Sequence, residues 1–148
     1  MITDKFTGVG VALITPFDNK GSVDFAALAN IIERVITGGV DYILALGTTS
    51  EVPTLTAAER VAVARFIRQR VDGRVALMVG IGGNCTADVV ATIKSWDFTG
   101  YDAILSVNPY YNKPNQEGLF RHFKAISEAS PLPIMLYNIP GRTGVNMA

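Results

Sequence analysis

Val75-Ala76-Leu77-Met78-Val79-Gly80-Ile81, followed at once by Gly82-Gly83-Asn84 and a helix start near Thr86, is the stretch that decides the fold. The run is apolar without alternation, which marks a strand covered on both faces, and the Gly-Gly-Asn turn ends it. Working outward, similar β-branched runs stand at residues 9–14, 42–46, 103–107 and 134–137. They are spaced at roughly thirty residues, too far apart for hairpins and right for strands joined by helical crossovers.

Helical periodicity fills the gaps. Leu28, Ile31, Ile32, Val35 and Ile36 fall on one face of a first helix. Thr56-Ala57-Ala58-Glu59 is a capping box, in which the threonine hydroxyl and the glutamate carboxylate each satisfy an orphan backbone donor, so a second helix starts there. A third helix begins near Thr86 and a fourth near Asn115, the last turning Leu119, Phe120, Phe123 and Ile126 toward the sheet.

A repeated strand-helix unit builds either an open doubly wound sheet or a closed barrel. Thr15-Pro16-Phe17 stands after the first strand where a dinucleotide-binding sheet would carry its glycine-rich turn. Polar residues collect after nearly every strand instead of at one switch point. Both features favour the α/β TIM (β/α)8 barrel. A full barrel takes about 250 residues. The 148 residues therefore supply about four βα units plus a fifth strand, read as one incomplete barrel domain over residues 1–148, the N-terminal part of a catalytic domain.

Thirteen basic side chains balance thirteen acidic ones. Neither nucleic acid nor a membrane surface is expected as a partner, since both require clustered Lys and Arg. No run approaches the roughly 20 apolar residues of a membrane span, and a cytoplasmic location is the default. Cys85 is the only cysteine and His122 the only histidine. No disulfide framework or Cys/His metal cage follows, and no cofactor or metal is expected.

In a barrel the chemistry gathers on the loops after the strand carboxyl ends. Gly47-Thr48-Thr49-Ser50-Glu51 follows the second strand and offers hydroxyls and amides that suit a carboxylate. Tyr137-Asn138-Ile139-Pro140-Gly141-Arg142-Thr143 ends the fifth, with a phenol able to shuttle protons and a guanidinium able to clamp a carboxylate. Asn108-Pro109-Tyr110-Tyr111-Asn112-Lys113-Pro114 follows the fourth, where adjacent aromatics read as a lid or an oligomer contact. His122 reads as a core or interface histidine, Cys85 as a thiol without a basic partner, Trp96 as space-filling beside the third helix, and Glu51 as an organiser of backbone amides in its loop.

Together with Ala12-Leu13-Ile14-Thr15-Pro16-Phe17, these motifs resemble the dihydrodipicolinate synthases, of the pyruvate-dependent lyase and aldolase superfamily, along essentially the whole chain. The resemblance implies a lyase in which pyruvate forms a Schiff base with a lysine, tautomerises to an enamine and condenses with aspartate semialdehyde. It makes Thr49 the pyruvate carboxylate contact, and Thr48, Tyr137 and Tyr111 the proton relay, with Tyr111 lent to a neighbouring subunit. Arg142 becomes the contact for the carboxylate of the second substrate. N-acetylneuraminate lyase is similar around the pyruvate loop, but such relatives usually lack an arginine matching Arg142. Ser50 stands where the family commonly has glycine. Asn84, Asp88 and Tyr110 match positions of a lysine effector site, whereas Ala57 and Arg60 occupy places where histidines can occur. A homo-oligomer is implied, a tetramer for full-length members, or else a complementary C-terminal fragment.

The resemblance places the Schiff-base lysine on a sixth strand. The lysines here are Lys5, Lys20, Lys94, Lys113 and Lys124, and Lys113 alone reaches the active face. An attacking amine must be neutral and needs a buried setting to lower its pKa, which a polar loop does not supply. The chain alone is therefore expected to be inactive. The alternative is a non-catalytic half-barrel that self-associates or docks with a complementary piece.

Overall fold

The computed structural model describes residues 2–148. The chain divides into two compact units, one running to Gly80 and taking in Gly100–Asp102, the other comprising Ile81–Thr99 and Ala103–Ala148.

In the first unit β1 (Gly10–Ala12), β2 (Tyr42–Ala45) and β3 (Ala76–Gly80) are parallel, with Ala12 opposite Leu44 and Ala45 opposite Val79. α1 (Phe25–Thr37) and α2 (Ala57–Val71) lie between them in sequence. Their buried faces, Leu28, Ala29 and Ile32 from α1 and Val63, Ala64, Ile67 and Val71 from α2, join Ile43, Ala45, Leu77, Met78 and Val79 of the strands in the core. Burying side chains of this size is worth about 1.5–3 kcal/mol each and is the main reason the helices form.

The capping box at Thr56 is present in full. Thr56 Oγ1 accepts from the Glu59 amide, while the Glu59 carboxylate accepts from the Thr56 amide at 2.8 Å. That backbone bond foremost, and then a second from the Thr56 hydroxyl at 2.8 Å, hold the exposed Glu59 carboxyl below its usual range. Hydrogen bonds tie down Gly100–Asp102. The buried Tyr101 hydroxyl donates to the Ala64 carbonyl at 2.8 Å, the Asp102 amide donates to the Leu77 carbonyl, and the Leu77 amide donates to the Asp102 carboxylate at 3.0 Å.

In the second unit β4 (Ala103–Val107) and β5 (Ile134–Tyr137) are parallel, with Ile104 opposite Ile134 and Val107 opposite Tyr137. α3 (Thr86–Ser95) packs on α4 (Gln116–Ala129), and a single turn, α5 (Pro140–Thr143), follows β5. Asn115 caps α4, its side chain accepting from the Gly118 amide at 2.8 Å. α4 buries Leu119, His122, Phe123 and Ile126, but Phe120 is 63% exposed and corrects the expectation that it faces the sheet. The positions i, i+3, i+4 and i+7 fill the buried stripe, and residue i+1 lies about 100° round the helix from it.

All five predicted strands form within a residue or two of their expected ends. Coverage on both faces holds for β3 and most of β2 and β4. It fails at β5, where Met135 and Leu136 are exposed, and beside β1, where Val9 and Ile14 are exposed. Among the described residues no helix is long and apolar enough to cross a membrane.

Candidate active site

The first unit presents the two threonines. β2 runs into a left-handed Leu46 (φ 55°), and a 3-10 helix over Thr48–Ser50 ends at a second left-handed residue, Glu51 (φ 55°). The passage is tight. A Cβ on Gly80 would lie 2.1 Å from the Leu46 carbonyl oxygen, so only glycine lets β3 run beneath this loop. The loop is fastened by a reciprocal pair of buried bonds. Ser50 Oγ donates to the Leu13 carbonyl at 2.6 Å, and Thr15 Oγ1 donates to the Ser50 carbonyl at 2.9 Å. Ser50 has no positive φ, so this position does not need glycine, and its hydroxyl is what a glycine would lack. Thr48 and Thr49 are exposed, and among the described residues their hydroxyls hold no bond, leaving them open to a ligand.

Glu51 departs from expectation. Its carboxylate is exposed and holds no loop amide among the described residues. The backbone organises the turn instead, the Glu51 amide donating to the Thr48 carbonyl and the Glu51 carbonyl accepting from the Thr54 amide. A left-handed backbone turns the peptide groups, and not the side chain, into the loop.

The second unit presents Tyr137, Arg142 and Tyr111. Because Val107 and Tyr137 are register partners, the loops after β4 and β5 leave the sheet at one level. Tyr137 is half-buried at its strand end. Arg142 is exposed on α5, and its guanidinium has no acidic partner among the described residues. Tyr111 is 89% exposed with φ +73°, and Lys113, two residues on, has φ +49°. A non-glycine residue held left-handed costs on the order of 1–2 kcal/mol, and such strain gathers at working loops.

His122 sits where the sequence placed it, buried on α4, with Nδ1 2.8 Å from Thr86 Oγ1 and its ring edge-on to Phe123. Its Nε2 has no partner among the described residues, so it is half-satisfied, and burial lowers its pKa. Cys85 is an exposed free thiol before α3, and its side chain makes no cap bond. The five lysines are all exposed: Lys5 pairs with Asp102 at 2.5 Å and Lys124 lies 3.8 Å from Glu128. None occupies a buried strand end.

Residues 5–148 match the model of the dihydrodipicolinate synthetase family. The chain belongs to that family. It is 52% identical over 147 residues to 4-hydroxy-tetrahydrodipicolinate synthase from Phocaeicola vulgatus, covering 99% of this chain and 50% of that protein. Among solved structures it resembles dihydrodipicolinate synthase from Bacillus anthracis, with a TM-score of 0.92 and 45% identity over 97% of this chain and 49% of the other. It also resembles the chloride-inhibited synthase from Acinetobacter baumannii, solved in complex with pyruvate, with a TM-score of 0.91 and 43% identity over 95% and 48% of the two chains. The fold is thus that of the family's TIM barrels, and the chain spans about half the length of the curated relatives it matches.

Two contributions were missed from sequence. The anchoring of the threonine loop by Ser50 and Thr15 pairs residues 35 apart, and no local motif marks it. The amides around α5, Asn108, Asn138 and Asn146, hydrogen-bond in series. Asn138 stood in plain view within the Tyr137 motif, and its position between the phenol and the arginine was the one available signal.

Proposed function

We propose that this chain forms part of the active site of a Schiff-base lyase that condenses pyruvate with aspartate semialdehyde. The family match over residues 5–148 carries this reading, because it covers every loop on which the candidate residues stand. Thr49 holds the pyruvate carboxylate with its hydroxyl and the backbone amides of its turn. An amine attacks the C2 ketone of pyruvate, and the Tyr137 phenol gives the proton that converts the ketone oxygen to hydroxyl. The attacking nitrogen gives up its two protons through Tyr137, one replacing the proton the phenol gave and the other passing to that hydroxyl, which leaves as water when the imine forms. Thr48 and Tyr111 connect Tyr137 to further proton donors, a contribution of about 10² to 10⁴ in rate for general acid-base catalysis. Arg142 receives the carboxylate of the aldehyde substrate through parallel hydrogen bonds. Its guanidinium, without an acidic partner among the described residues, supports this role.

The attacking amine is not one of this chain's lysines. All five are exposed, and none stands at a buried strand end. Incubation with pyruvate and borohydride should leave the chain alone without a covalent adduct in intact-mass spectra. An adduct mapped to Lys113 would overturn the assignment. A second reading, a half-barrel that associates with copies of itself or with a complementary piece, is favoured by one observation: Val9, Ile14, Phe120, Met135 and Leu136 are all exposed.

A further inference from the structure

We propose that Asn138 and Asn146 are positioning residues that hold the Arg142 turn in the geometry needed to receive a substrate carboxylate. The inference rests on the reading of Arg142 given above and adds the device that orients it. Its starting point is a single backbone group. The Met147 amide lies 3.1 Å from the Asn138 side chain, and an amide N–H can only donate, so the atom it meets is Asn138 Oδ1. That choice fixes two further amides. Asn108 must turn Nδ2 toward the same oxygen, at 2.8 Å, and Asn138 must turn its own Nδ2 toward Asn146 Oδ1, also at 2.8 Å. The remaining oxygen of Asn108, fully buried, is then left without a partner among the described residues, the cost of committing its amide to Asn138.

Asn138 precedes α5 and Asn146 follows it, so their bond closes the base of a loop with Arg142 near its middle. Gln116 at the start of α4 fastens the outgoing strand of that loop, donating to the Asn146 carbonyl at 2.8 Å and accepting from the Ala148 amide at 3.1 Å. Inside the loop the buried Thr143 hydroxyl lies 2.9 Å from the Val145 carbonyl and 3.1 Å from the Ile139 carbonyl. An exposed arginine on one helical turn would otherwise sample many orientations. Closing the loop removes backbone freedom of that turn before a ligand arrives, which raises affinity without adding a contact.

The test separates the clasp from the reading it serves. In the 148-residue chain, Asn146→Ala removes the closing bond and Asn146→Asp keeps the acceptor oxygen. Loss of one hydrogen bond should speed tryptic cleavage between Arg142 and Thr143 by about five- to tenfold and increase exchange of the Met147 amide to a similar degree. Asn146→Asp should restore both rates toward those of the parent. Unchanged cleavage and exchange in Asn146→Ala and Asn138→Ala would overturn the clasp, whatever the enzyme does. In the assembly that turns over, Asn146→Ala should raise KM for aspartate semialdehyde and leave KM for pyruvate in place. A fall in kcat alone, or an equal rise in both KM values, would refute a positioning role for Arg142. An assembly without synthase activity refutes the proposed function and leaves the cleavage result standing.

Discussion

The two units differ at most of their buried polar groups, although Thr143 of the second has its hydroxyl within reach of two carbonyls. In the first, Thr15 and Ser50 are almost fully buried, and each hydroxyl donates a good hydrogen bond to a carbonyl of the other's segment. In the second, Ser106, Asn108 and His122 are as deeply buried, and each keeps one polar atom without a partner among the described residues. A satisfied buried pair stiffens the loop that carries it, whereas an unsatisfied atom stores free energy that a mutation, a proton or a partner can release. The threonine loop is accordingly set by its own unit. Tyr111 and Arg142 belong to the unit with slack in it.

The largest test of this contrast removes one hydroxyl from each side. Ser50→Ala leaves the Leu13 carbonyl short of its donor inside the core and should cost about 2 kcal/mol in urea unfolding. Ser106→Ala deletes an oxygen that is 0% exposed and bonded to nothing among the described residues, and should be neutral or stabilising by up to about 1 kcal/mol. Equal losses from the two alanines would erase the distinction between the units. A double-mutant cycle of Ser50→Ala with Thr15→Ala should show coupling, since the two hydroxyls fasten the same pair of segments.

Histidine 122 turns the same contrast into a pH dependence of smaller reach. Burial lowers its pKa from the ordinary 6.5, so the folded state binds a proton less readily than the unfolded state. For a base with a depressed pKa, the stability it contributes is complete above the unfolded value and is lost as pH falls through 6.5 toward the folded value. Urea midpoints should therefore drop between about pH 7.5 and 5.5, and His122→Gln should flatten that drop. An unchanged slope would mean that the α3–α4 contact at Thr86 tolerates the imidazolium.

What could be read from sequence divides along similar lines. Strand positions were legible because burial on both faces erases alternation, and the Thr56–Glu59 box was legible because both partners lie within one helical turn. Phe120 misled because a helix shows its apolar residues but not the edge of its buried stripe. The candidate site was legible as residue types, Thr48, Thr49, Tyr111, Tyr137 and Arg142, through motifs that survive in linear order. Its supports were not. Ser50 bonds to a residue 37 positions away and Asn108 to one 30 positions away, and such pairs leave no local mark. The left-handed backbone at Tyr111 and Lys113 was equally hidden, since neither residue type favours it.

That hidden strain yields the smallest and most specific expectation. Glycine normally destabilises an ordered position by about 0.5–1 kcal/mol relative to alanine, because its unfolded chain is freer. At Tyr111, where φ is +73° and the ring is 89% exposed, the order should reverse. Tyr111→Gly should match or slightly exceed Tyr111→Ala in stability, within about 0.5 kcal/mol of the parent, as relief of the left-handed penalty offsets the entropy. A ring so exposed is free to dock on another chain. Light scattering should then show the parent chain above its monomer mass of 15.9 kDa and the glycine variant shifted toward it with folding intact. If the parent is a clean monomer, or if glycine lowers stability by more than about 1 kcal/mol, the ring is serving its own unit, and the slack assigned to that unit must lie elsewhere.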